Sequence, residues 1–142
     1  MNAALKQATG RPGSRAQSMT EFALCVPILL LIVGVATDFA RVYYYDLAIR
    51  DASFAAARYA GMNPADDAGI KNAAVNAAPS GVLTTASVTI SAPVVNGCDG
   101  TRQSGCPLQI SVSYVFVPIT PIITAFTGTG VTLSRSQTDL VK

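Results

Sequence analysis

Residues 15–36 read Arg15-Ala-Gln-Ser-Met-Thr-Glu21-Phe22-Ala-Leu-Cys25-Val-Pro27-Ile-Leu-Leu-Leu31-Ile-Val-Gly34-Val-Ala36. One acid, Glu21, opens an unbroken apolar run from Phe22 to Ala36. An ionised carboxylate at the mouth of a membrane helix is costly unless it is paired, so such a residue is a functional candidate by default. At about 1.5 Å per residue the run spans roughly 22 Å, whereas a hydrocarbon core of about 30 Å needs nearer 20 residues. Phe39, Ala40, Val42 and Tyr43–Tyr45 lengthen it, interrupted by Thr37, Asp38 and Arg41. Asp38 and Arg41 stand three apart on one helical face and can partly neutralise each other. The tyrosines fit an aromatic belt at the lipid–water boundary. A transmembrane helix is therefore expected from Met19 to Tyr44.

Lys6, Arg11 and Arg15 precede the span with no acid before Glu21. The positive-inside rule then puts the N-terminus in the cytoplasm and everything beyond Tyr45 outside. A cleaved secretory signal is the rival reading, with Gly34-Val35-Ala36 as its small-residue site. Pro27, Glu21 and helical sequence continuing through Arg58 weigh against it.

Beyond the span, Tyr45–Ala60 is alanine-rich with an amphipathic pattern that prolongs the helix. Asp46 and Arg50 form an acid-before-base i, i+4 pair, and Arg50 shares a face with Phe54. Gly61 and Pro64 end the helix. Asp66-Asp67 caps a second helix reaching about Ala78. Val82–Ala92 and Leu108–Val117 alternate apolar and polar residues as half-buried strands do. Pro118-Ile119-Thr120-Pro121 breaks the second strand, Ile122–Phe126 suits a helical turn, and Val131–Thr138 suits a last strand. The expected fold is α+β: a long N-terminal helix continuing into a small external domain with a short helix and about three antiparallel strands. Its parts are a basic leader over 1–16, too rich in Gly and Pro around Gly10–Ser14 to hold a helix, a transmembrane and extended helix over 17–62, and an external domain over 63–142.

The chain has 142 residues, no histidine or tryptophan, and only 13% charged residues. The leader carries three of the ten basic residues, so residues 17–142 hold seven basic against eight acidic ones, a net charge of −1. No clustered basic face supports a nucleic-acid partner. Without histidine the usual general base and commonest metal ligand are missing. Asp66-Asp67 reads as a helix cap in a favourable dipole position, and Gly128-Thr129-Gly130 reads as a turn rather than a phosphate cradle. No catalytic, cofactor or metal residues are assigned, and an enzyme is not expected. Cys25 lies in the apolar run as a free thiol. Cys98 and Cys106 bracket a polar loop, and in an oxidising compartment a disulfide is the simplest reading of that pair.

Gln17-Ser18-Met19-Thr20-Glu21-Phe22-Ala23-Leu24, Pro27, the leucines Leu29–Leu31 and Asp38-Phe39-Ala40-Arg41 together resemble the N-terminus of the TadE-like family. These are minor pilins or pseudopilins of the tight-adherence (Flp-type) branch of type IV pilus systems. The resemblance, close over residues 15–45, implies that a prepilin peptidase removes the leader so that the glutamate becomes the fifth mature residue, followed by an aromatic. Glu21 and Phe22 then carry the assembly and processing motif, and the cut falls between Ala16 and Gln17. Ala16 stands where the family usually has glycine. The resemblance further implies membrane lipid, the peptidase, other pilins and the assembly-platform proteins as partners. It also implies a single-pass location in the bacterial inner membrane and a role in surface adhesion and biofilm formation. In an assembling fibre the freed amine of Gln17 would neutralise Glu21 of a neighbour. A single-pass membrane protein whose external domain binds a partner, never cut or assembled, is the alternative.

Overall fold

The computed structural model describes residues 13–95 and 97–142, with side chains from Gln17 onward. Lys6, Arg11 and most of the basic leader lie outside the described residues.

Helix α1, Gly13–Met62, is continuous over 50 residues. Its first turn includes Gly13 and Ser14, where a break was expected; from Ser14 onward neither Gly nor Pro recurs before Pro27, and the turn propagates. Pro27 sits inside the helix. It lacks an N–H, which costs a soluble helix an intrahelical bond, yet such breaks are tolerated in membrane helices. At the other end Asn63 donates its N–H to the Tyr59 carbonyl at 2.9 Å, and Pro64 prevents continuation.

Helix α2, Asp67–Ala77, starts where Asp66 accepts the Gly69 N–H. A three-residue 3₁₀ turn, Thr85–Ser87, leads into β1, Val88–Ser91. The expected strand Val82–Ala92 is thus shortened at its N-terminal end, because Val82–Ser87 is spent turning from α2 into the sheet. A two-residue ribbon, β2 Val94–Val95 with β3 Cys98–Asp99, follows. β4, Pro107–Phe116, is succeeded by α3, Pro121–Thr127, and β5, Val131–Leu140. The main sheet is antiparallel in the order β1-β4-β5, with Val88 opposite Val112 and Tyr114 opposite Leu133.

The core forms where the sheet and α2 meet the second half of α1. Ile49, Ala52, Ala56, Ala57 and Ala60 pack with Ile70 and Ala74 of α2 and with Leu108, Ile110 and Val112 of β4. Alanine at four of these five α1 positions lets the neighbouring backbones approach closely. The inward positions of β5 opposite Val112 and Leu108 are Arg135 and Asp139, while Leu133 of the same strand packs against the core. The architecture is α+β, as expected, with the sheet and the short helix built onto one long helix.

Candidate functional site

Along α1 two environments meet. From Gln17 to Val33 almost every side chain is exposed; Phe22 is 71% accessible. This is the only helix among the described residues long and apolar enough to cross a bilayer. A row of exposed leucines and isoleucines of this length marks a surface made for contact with lipid or with other protein. Cys25 is a free, exposed thiol on the same stretch.

Glu21 sits exposed at the entrance to this row, and the Gln17 side-chain amide donates to its Oε1 at 3.2 Å. Gln17 and Glu21 are one helical turn apart, so the two residues named for processing and assembly share a face. The Ala16–Gln17 peptide lies within continuous helix. Phe22 points away from the rest of the protein.

At Asp38 the environment changes. Its side chain is only 2% accessible. Arg41 reaches it at 3.2 Å, the intrahelical pairing expected from their spacing. The principal partners come from elsewhere: the Ile119 N–H donates to both carboxylate oxygens at 3.0 and 3.1 Å, and the Thr120 N–H donates to Oδ2 at 2.8 Å. Asp38 thereby ties the segment after β4 to the helix. Four residues earlier, a Cβ added at Gly34 would stand 3.2 Å from Oγ1 of Thr120, a close approach of the tip to the helix. The Arg41 guanidinium lies 5.1 Å from the Phe116 ring centre and 6.0 Å from that of Tyr45, within cation–π range.

The three tyrosines divide. Tyr43 and Tyr44 are exposed, in the manner of a belt. Tyr45 turns inward, its ring 4.7 Å from Tyr114 and 6.0 Å from Phe116.

Further out, one expected pair is replaced. Asp46 is held not by Arg50 but by Arg135 of β5, through two hydrogen bonds of 2.8 and 2.7 Å. The bidentate fork is a better use of the carboxylate than a monodentate helix pair, and it holds the Arg135 guanidinium above its usual pKa. Arg50 instead stacks on Phe54, 5.7 Å from its ring centre. At the α2 end, Asp66 accepts from the Gly69 N–H and from the Tyr59 hydroxyl, each at 2.9 Å. These bonds hold its pKa below the ordinary 3.8. Asp67 pairs with Arg102, which lowers its pKa too, while Arg102 also donates to the Pro64 carbonyl at 2.8 Å. Cys98 and Cys106 are disulfide-bonded, closing the loop that carries Arg102. Sequence reasoning found the cysteine pair and the cap; it missed the Asp38, Asp46 and Asp67 partners, which lie 81, 89 and 35 residues away.

One apolar helix, almost wholly exposed from Gln17 to Val33 and built into an α+β domain further on, is long and apolar enough to cross a membrane. Residues 16–58 match the family model described as TadE-like protein. Over that segment, under a third of the chain, the sequence is similar to the TadE-like family, as the residues around Glu21 indicated. The match runs through Arg58, across the exposed row, the Asp38 junction and most of the helical side of the core. Neither the curated proteins nor the solved structures yield a match to this chain.

Proposed function

We propose that this chain is a minor pilin, or pseudopilin, of a tight-adherence pilus, supporting surface adhesion and biofilm formation. The observation that carries the reading is the exposed apolar row headed by Glu21 inside a TadE-like segment. The precursor sits in the inner membrane with its N-terminus cytoplasmic. A prepilin peptidase cuts between Ala16 and Gln17, and the mature helix leaves lipid for a filament or its tip complex. There the lipid-facing side chains pack against other pilins, and Glu21 takes the N-terminal amine of a neighbouring subunit. Desolvation penalises an unpaired carboxylate and so sets the register between subunits. Assembly-platform proteins drive the transfer; no catalytic role falls to this chain.

The test is the intact mass of membrane-extracted protein made with and without the cognate prepilin peptidase. A peptidase-dependent species beginning at Gln17 is expected. Full-length chain in both samples would favour the uncut membrane protein with a partner-binding domain. In cells, Glu21→Ala should leave insertion intact and abolish piliation; normal pili in that variant would sink the role given to Glu21.

A further inference from the structure

The tip of the β4–α3–β5 unit is apolar, uncharged and placed beside the membrane helix. Val115, Val117, Ile119, Ile122, Phe126 and Val131 are all exposed, with Ile119 at 70% and Phe126 at 87% accessibility. From Gln103 to Ser134 the sequence has no acidic or basic residue. Within it the whole connection from β4 to β5, residues 117–130, is uncharged, and an exposed apolar patch of this kind marks an interaction surface.

Its position names the partner. Counted from Glu21, the roughly 20 residues needed to cross the hydrocarbon core end near Ala40. Thr120 lies against Gly34 and is bonded to Asp38, so α3 is level with the last turns of the span rather than beyond it. Ile123 of α3 faces α1, lining a cleft with Val35 and Phe39, while Phe126 points away from protein.

The polar groups of the tip are handled as a low-dielectric setting demands. Pro118 and Pro121 have no N–H to satisfy, and the amides of Ile119 and Thr120 are taken by Asp38. The hydroxyls of Thr124 and Thr127 donate to the Pro121 and Ile123 carbonyls at 2.8 and 2.9 Å.

We propose that residues 115–131 insert into the leaflet on the side of the α+β domain, as a second lipid contact with Phe126 its leading side chain. The chain would then hold the bilayer at two points, which fixes the tilt and rotation of the domain against the membrane surface. The inference rests on α1 lying in a bilayer and is independent of processing and of filament assembly.

The chain has no tryptophan, so single tryptophans report position cleanly. Full-length Phe126→Trp, Leu30→Trp and Leu140→Trp variants would be reconstituted in phosphatidylcholine–phosphatidylglycerol vesicles, with and without brominated acyl chains. Leu140 is exposed at the far end of β5, next to Gly61, roughly 40 Å along the helix from Gly34. The expected result is strong quenching for Leu30→Trp, at least half as much for Phe126→Trp, and none for Leu140→Trp. Quenching at Leu30→Trp with none at Phe126→Trp would overturn the proposal. If that unquenched emission were also blue-shifted, the face would belong to a protein contact, a second copy being the first to examine. Absence of quenching at Leu30→Trp would overturn the membrane reading of α1 and this proposal together.

Discussion

Asp38 shows how one side chain can join two parts of a chain. A carboxylate with three N–H···O contacts from two successive amides and a neighbouring arginine satisfies groups that would otherwise be buried without partners. Replacing it by alanine orphans the Ile119 and Thr120 amides. Asp38→Ala is expected to speed hydrogen exchange at those two amides about tenfold or more in detergent micelles, while the amides of Ile110 and Val112 keep their protection. Equal exchange in both proteins would show that the contact contributes nothing to holding the tip. The sequence exposed the Asp38–Arg41 spacing and nothing of the amides, because backbone donors 81 residues away leave no local signature.

Asp66 and Asp67 offer the pH dependence. Both carboxyls are held below the ordinary 3.8, Asp66 chiefly by the Gly69 N–H and Asp67 chiefly by Arg102. A depressed folded pKa means stability that is present above the unfolded value and lost as pH falls through the folded one. Thermal melts in detergent should therefore be flat from pH 7 to 5 and drop below about pH 4. Asp66→Asn keeps a good N-cap without the titration, so its acid drop should be shallower. An unchanged acid limb in that variant would assign the loss to other carboxyls.

Among the elements, the helices were legible except for the first turn of α1, which runs through Gly13 and Ser14. Asp66 as a cap, Gly61 and Pro64 as a stop, and the alanine face over residues 52–60 each speak through nearest neighbours along the chain. The strands were legible in type and blurred in extent. The alternation of Ala86, Val88 and Ile90 with Ser87, Thr89 and Ser91 marks the strand, but Val82–Ser87 ahead of it lies where the chain turns from α2 into the sheet. The β2–β3 ribbon is only two residues deep on each side, too short for any periodicity to announce it. The Asp46–Arg50 expectation failed for a related reason: an i, i+4 pair is the best local option, and a bidentate arginine from β5 is a better one that only the folded chain supplies.

The alanine face makes a prediction of its own. Ala56 has no accessible surface and packs within the core cluster. Ala56→Leu adds three carbons where no room exists and should destabilise by about 1–3 kcal/mol. For a domain of this size that is roughly 4–8 °C per kcal/mol in Tm. The reverse exchange at exposed Leu47, Leu47→Ala, should move Tm by less. Cys98→Ser with Cys106→Ser should cost about 2–3 kcal/mol by releasing the short closed loop, and the loss should match that of the wild-type chain under reductant.

At the scale of the whole molecule, the boundary between membrane helix and folded domain does not coincide with the end of α1. The expected division at residue 62 follows the helix, but packing follows a different line. Ile49, Ala52, Ala56, Ala57 and Ala60 form one wall of the core, and Asp38, Tyr45 and Asp46 each hold a residue of the sheet or of its tip. The second half of α1 is thus part of the domain, while the side chains from Gln17 to Val33 are almost all exposed. A chain truncated to begin at Asn63 would expose Leu108, Ile110 and Val112 and lose the surface they pack on. It is expected to show no cooperative melt by circular dichroism and to aggregate without detergent. A chain beginning at Thr37 keeps the Asp38 tie, the Asp46–Arg135 fork and the whole core, and in mild detergent it should melt cooperatively with native secondary structure. Cooperative folding of the shorter chain would mean that the sheet and α2 stabilise one another without the helix. Failure of the longer one would mean that the bare row, and the lipid or subunits around it, is needed for the domain to fold at all.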